Sequence, residues 1–280
     1  MSLNIILLLL IAAFLNSIWH TLIKASGNGS QAMLSMNKMV FLISTPFIPF
    51  FFSDFPSGNL ILLILSLFCH LIYKIFLLKI YKISDISYAY PFFKSLTPLL
   101  VTILAFFFLK QTLNFQAFCS IALISLSIFI LVGEKISFSY KPILFIYIFT
   151  LSLSNAFYTI LDSYIIKSSS SFFSFGVWLV FLDSLFFLFF SYLVGSVNNF
   201  RGFLVINKNY LYTSFSGLLS FFIFLWALTK ANVGSVSSLR EVGMIFTSLF
   251  GVIILKEKFN IYRFLSIILS LLGIIFLYLS

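Results

Sequence analysis

The chain has 280 residues, of which 61% are hydrophobic and only 9% charged, and its mean hydropathy is +1.15; a water-soluble fold of that length has no interior large enough to hide so much apolar surface. The net charge of +10 comes from 17 Lys and Arg set against 7 Asp and Glu, and most of the basic residues fall between apolar segments rather than in one patch. That distribution calls for no nucleic-acid partner and fits an integral membrane protein, whose Lys and Arg accumulate on the cytoplasmic side.

In chain order, apolar windows occur at 3–23, 33–53, 59–80, 86–109, 113–132, 142–165, 172–195, 209–229, 233–255 and 261–279, each near the roughly 20 residues that cross a bilayer. They predict an all-α integral membrane protein of ten transmembrane helices with no soluble domain. The breaks carry turn or polar signals: Ser26 to Ser30, Asp54 with Pro56-Ser57-Gly58-Asn59, Gly133-Glu134-Lys135, Ser168 to Ser171, and Ser196 to Arg201. The first window has no basic residue before it and no small-residue cleavage site, so it reads as a retained helix rather than a signal peptide. Cys69 and Cys119 lie in apolar runs, where a thiol behaves as a small hydrophobe. Neither a disulfide nor a metal site is expected, and no cofactor is implied.

The polar residues inside the windows mark a candidate lining. In the first helix Asn16 and His20 are four apart and share a face; the imidazole there is either a proton carrier or a hydrogen-bonding neighbour. His70 and Lys74 share a face of the third helix, with Lys74 within two turns of the expected cytoplasmic end, where a lysine snorkels to the interface. In the fourth helix Tyr90 precedes Pro91, and Lys94 stands between Pro91 and Pro98. Prolines free carbonyls and bend the axis, which is tolerated beside a cavity, so Lys94 is a candidate anchor for a carboxylate or phosphonate.

The sixth helix carries Asn155, Tyr158 and Asp162 at spacings of three and four, one polar stripe. Asp162 is the candidate for a cationic group or a coupling proton, or else an aspartate at the interface. Asp183 lies deeper, among Leu and Phe of the seventh helix; a carboxylate there stays ionised beside a basic partner, for which Arg240 and Lys94 are candidates. Trp226 either walls a cavity or joins the aromatic belt near Lys230. The ninth window holds Arg240 and Glu241 in an otherwise uncharged run. A charge at that depth costs roughly 2.5–3.5 kcal/mol and marks a functional site by default; the alternative is a pair that neutralises itself and pins two helices.

Sliding the sequence along itself by 146 residues lays Leu109-Lys110-Gln111 on Leu255-Lys256-Glu257, Asn114 on Asn260 and Phe118 on Phe264. The same offset, with no gap, lays Lys94 on Arg240, Asn16 on Asp162 and Asn37 on Asp183. Two halves on one plan follow, 1–139 and 140–280, each of five helices. Alternate connections hold Lys24, Lys38, Lys79, Lys82, Lys135, Lys141, Arg201, Lys208, Lys256, Lys258 and Arg263, eleven basic residues, against Lys110, Lys167 and Lys230 on the other side. The richer side is cytoplasmic by that bias, and both termini lie outside. An odd number of helices per half makes the repeat inverted, with a substrate site near the midplane where the halves meet.

These residues resemble the drug/metabolite transporter superfamily, specifically its EamA-type members, over nearly the whole chain. Within that group the resemblance is to the bacterial branch associated with phosphonate utilisation. It is carried by NSIWHTLIKASGN at 16–28, HLIYKIFLLKIYKISDISYAYPFFKSLTPLL at 70–100, AFYTILD at 156–162 and SSLREVGMIFTSLFGVIILKEKF at 237–259. The resemblance implies ten helices in two inverted five-helix repeats around a central cavity, alternating access, and a multi-pass place in the bacterial inner membrane. The chain departs from that branch at Asn16 and His20, which hold exchanged residues, at Lys94 where Arg is common, and at Gln111 where the repeat signature has Glu.

The function expected is a secondary active or facilitative transporter of a small polar metabolite, an amino acid or another zwitterion or amine. Arg240 and Lys94 would hold its anionic end, while Asp162 or Asp183 and rings such as Tyr158 would hold its amine, a cation–π contact adding about 0.5–2 kcal/mol. No Gly-x-x-x-x-Gly-Lys loop is present, which argues against coupling to ATP; proton coupling through Asp162, Asp183, Glu241 or His20, exchange and facilitated diffusion all stay open. The alternative is an intramembrane enzyme acting on a lipid-linked substrate, against which His20 and His70 stand apart with no nucleophile or paired-aspartate motif. The chain acts as a monomer or homodimer in the lipid bilayer.

Overall fold

The structure, a computed structural model, describes residues 1–25, 29–83, 86–131, 142–194, 208–255 and 260–280. The turn signals at 26–28, 133–135 and 196–201, the basic residues Lys135, Lys141, Arg201, Lys256 and Lys258, and the part of the second Leu-Lys-Glu copy after Leu255 lie outside the described residues.

Every regular element among the described residues is a helix: α1 (Leu3–Ala25), α2 (Gly29–Ser44), α3 (Leu60–Ile83), α4 (Ile86–Leu109), α5 (Phe115–Ile130), α6 (Pro142–Ser168), α7 (Phe172–Leu193), α8 (Lys208–Leu228), α9 (Val233–Glu241), α10 (Gly243–Leu255) and α11 (Ile261–Leu279). Lipid offers a backbone no hydrogen-bonding partner, so an apolar segment that crosses it must satisfy its own N–H and C=O groups, as a helix does. Among the described residues seven spans are long and apolar enough to cross a membrane, from Gln31–Asp54 to Ile261–Leu279. The outer surface agrees: Phe50, Ile61, Phe107, Phe115 and Phe215 point outward, while serines such as Ser17, Ser66, Ser120 and Ser266 are buried. Small residues inside and large apolar ones outside are the arrangement of a bundle packed in lipid.

All ten predicted windows contain helix, and two depart from a simple rod. The ninth is broken at Val242 into α9 and α10. The second tightens into a 3-10 segment over Thr45–Asp54, where Pro46 and Pro49 remove backbone donors. The fourth, by contrast, runs unbroken through Pro91 and Pro98. Between the prolines hydroxyls bond the backbone: Ser95 Oγ donates to the Phe92 carbonyl at 2.7 Å, Thr97 Oγ1 to that of Phe93 at 2.9 Å, and Ser152 of α6 to Phe93 as well at 3.1 Å.

Helix ends explain part of the 146-residue echo. Asn114 Oδ1 caps α5 by accepting from Ala117 N at 2.7 Å, and Asn260 Oδ1 caps α11 by accepting from Arg263 N at 3.1 Å, each satisfying a donor the helix leaves unpaired. Gln111 has a task of its own, since its Oε1 accepts from Val233 N at 3.1 Å and so covers the start of α9.

Packing repeats the echo in space. α3 lies on α6 as α8 lies on α1, and α4 lies on α6 as α9 and α10 lie on α1. The pairs α2–α7, α4–α9 and α5–α11 join equivalent helices. The pattern is unchanged when the halves are exchanged, as a pseudo-two-fold axis requires, and five helices per half make the two repeats inverted. The broken ninth helix is central to this: a Cβ on Gly243 would lie 2.7 Å from the Ala13 carbonyl oxygen, so α10 meets α1 backbone to backbone.

Candidate substrate cavity

The first helices of both halves, with α2, α3, α4, α7, α8 and α9, enclose a cavity of about 170 Å³. A void of about 150 Å³ holds a benzene molecule, so the space suits a small solute. Met33, Met36, Leu179, Val180 and Phe221 supply apolar wall; Asn16, Asn37, His70, Lys74, Lys94, Tyr158, Asp183 and Arg240 supply polar groups.

Most of the charges are spent on one another. Lys74 Nζ, on α3, lies 2.7 Å from Asp183 Oδ2 and 2.6 Å from Asn37 Oδ1, the two residues that the 146 offset makes equivalent. Asn37 is held in place by donating from Nδ2 to the Met33 carbonyl at 2.8 Å. Lys94 Nζ lies 2.7 Å from Glu241 Oε2, with side chains only 4% and 3% exposed. His70 Nε2 is 3.1 Å from Asp162 Oδ2, and Ser66 Oγ donates to Asp162 Oδ1 at 2.5 Å. Tyr158 stacks on the His70 ring, centroid to centroid 3.8 Å, and Tyr73 meets Tyr158 edge-on.

Arg240 differs from the rest. Its guanidinium carbon lies 4.2 Å from the Phe224 ring centre and 5.9 Å from that of Phe221, while its Nε is buried with no hydrogen-bond partner among the described residues. Aromatic faces attract a cation but do not replace a hydrogen-bond acceptor, and a buried donor without one asks for an explanation.

Of the residues singled out from the sequence, Asn16, Asn37, His70, Lys74, Lys94, Tyr158, Asp183 and Arg240 line the cavity. Asp162 lies behind His70, 1% exposed. Trp226 is half-buried against the core away from the cavity, and Asn155 is buried beside Thr159. The side chains of His20 and Tyr90 lie outside the described residues.

Two pairings and one placement differ from expectation. Asp183 is met by Lys74 and not by Arg240 or Lys94, because α3 and α7 pack together. Lys74 is buried in the cavity rather than snorkelling. Glu241 bonds Lys94 and not Arg240, since adjacent residues on a helix project in different directions and do not face each other. The third helix held a signal that was there to be read: Ser66, His70 and Lys74, each four apart, form one polar stripe.

An apolar outer surface, two halves that exchange in their packing and a polar cavity between them define a membrane protein arranged around a small solute. The sequence pattern of the EamA-like transporter family matches residues 3–133 and 142–279, and the chain belongs to that family. It is a multi-pass membrane transporter of small molecules. A solved structure described only as "Crystal structure of protein" is similar to it with a TM-score of 0.74 at 13% identity, covering 100% of this chain and 98% of that one; at that identity the likeness is one of fold. No curated protein matches the chain.

Proposed function

We propose that the protein is a secondary active or facilitative transporter that carries an amino acid or another small metabolite with an anionic group across the bacterial inner membrane by alternating access. The observation that carries this reading is Arg240, the cavity's cation whose buried Nε has no acceptor among the described residues. A carboxylate or phosphonate would give the guanidinium fork the bidentate partner it is shaped for. An amine on the same solute has a place at Asp183, which already accepts the Lys74 ammonium and keeps 20% of its side-chain surface open. Lys94, closed off by Glu241, then serves to hold α4 to α9.

In this reading residues 1–139 and 140–280 are the two units that rock about the site, and both termini lie outside the cell. Proteoliposome uptake of radiolabelled amino acids and aminoalkylphosphonates tests it. Uptake that is lost in Arg240→Ala, with the variant still folded, is the expected result. Normal uptake by Arg240→Ala would remove Arg240 from the site.

A further inference from the structure

We propose that His70 and Asp162 form a proton-carrying site that takes up one proton when the bound substrate is a net anion. This rests on the reading of Arg240 as the anion's anchor. The geometry has three parts. His70 lines the cavity, its side chain 10% exposed. Its Nε2 is 3.1 Å from Asp162 Oδ2, and Asp162 is 1% exposed and held from its other side by Ser66. Lys74 with Asp183 and Lys94 with Glu241 are each complete ion pairs.

The sum of charges gives the consequence. With a neutral imidazole, Nε2–H donates to the Asp162 carboxylate, Nδ1 is a bare acceptor, and the pair carries one negative charge. That charge balances Arg240 in the empty cavity, because the other two pairs sum to zero. A monoanion bound at Arg240 leaves the site negative unless a proton arrives. The proton adds to Nδ1, the imidazolium stays against the carboxylate, and the site is neutral again. Unbalanced charge is heavily penalised in a low-dielectric interior, so anion and proton each favour the binding of the other. A zwitterion brings no net charge and needs no proton.

The other ionisable groups that line the cavity with His70 are Lys74 on α3, Tyr158 on α6, Asp183 on α7, Lys94 on α4 and Arg240 on α9, and Cys69 is its neighbour on α3. Both cavity lysines are already bonded to carboxylates, and Asp162 is the carboxylate that bonds His70.

The test uses purified full-length protein in weakly buffered detergent with a pH-indicator dye. Lactate and alanine are the probes, because they share a carbon skeleton but bring net charges of −1 and 0. Wild type should take up about one proton per lactate bound, with lactate affinity falling about tenfold for each pH unit above the titration of the pair. Alanine should bind without proton uptake. Asp162→Asn should bind lactate with neither proton uptake nor pH dependence, because Arg240 and the monoanion then balance; should that variant not fold, Asp162→Ser takes its place, with the same result expected.

Lactate binding without a proton in wild type, or proton uptake that survives in the variant, overturns the proton site and leaves the Arg240 reading intact. Failure of both probes to bind wild type counts against Arg240 as the anchor of these carboxylates and leaves the proton site untouched. The proton site is then decided on ligand-free protein by histidine-selective 15N spectra, with His70 assigned through His70→Gln. A His70 signal that moves as pH is varied and is displaced in Asp162→Asn upholds it, and a signal that does not respond to pH overturns it.

Discussion

Lys94 and Arg240 hold the same place in the two halves of the bundle, yet Lys94 is closed off by Glu241 at 2.7 Å while Arg240 lies over Phe224 with its Nε unbonded. One position of the repeat became a structural tie and the other kept its charge for the cavity. Helix geometry permits this, because adjacent residues of α9 project in different directions: Glu241 bonds Lys94 of α4 while Arg240 lines the cavity.

The tie makes a stability prediction. Removing one partner of a buried ion pair leaves a bare charge and costs about 3–5 kcal/mol, whereas replacing both by apolar residues is far milder. Glu241→Gln should therefore lower the thermal unfolding temperature in detergent markedly, and Lys94→Met with Glu241→Met should recover most of the loss. Equal damage from the single and double changes would mean that the pair is not what holds α4 to α9.

Lys110 offers a stabilising change. It leaves α4 with φ of 52°, a left-handed conformation, while Gln111 N reaches back to the Ala105 carbonyl at 3.2 Å. A side chain in that conformation costs roughly 1–2 kcal/mol, and glycine is the residue that usually closes a helix this way. Lys110→Gly should raise stability by up to about 1 kcal/mol once the added freedom of the unfolded glycine is subtracted. Calorimetry of the purified variant checks the sign.

Asp183 separates two kinds of solute. In Asp183→Asn the Lys74 ammonium loses its carboxylate, so the cavity gains positive charge and loses its place for an amine. Binding of alanine should weaken by at least about tenfold, a difference of 1.4 kcal/mol, while binding of lactate should hold or strengthen. Titration calorimetry with both ligands measures this, and parallel losses would show that Asp183 acts only through folding.

Much of this arrangement was legible in the chain. The apolar windows gave the helices, and the 146-residue offset gave the repeat, because Asn114 and Asn260 are caps of equivalent helices and Asn37 and Asp183 grip the same lysine. What was not legible was which charge meets which. Arg240 and Glu241 are adjacent in sequence but lie about 100° apart around a helix of 3.6 residues per turn, so their partners depend on which helices pack beside them. The partner of Lys74 is hidden for the same reason. Distance from the end of a helix suggested the interface, and only the approach of α3 to α7 brings Asp183 to it.

The role proposed for Arg240 is to hold the anionic end of the transported solute. Thermal unfolding of the detergent-purified protein tests it most directly, with amino acids, phosphonates, quaternary amines and sugars added in turn to wild type and to Arg240→Ala. A ligand at a hundred times its Kd stabilises by about 2.7 kcal/mol, a readily measured shift. A solute with a carboxylate or phosphonate should stabilise wild type and leave Arg240→Ala unmoved. Stabilisation by cations or neutral sugars alone, or equal stabilisation of both proteins by the anion, would contradict it.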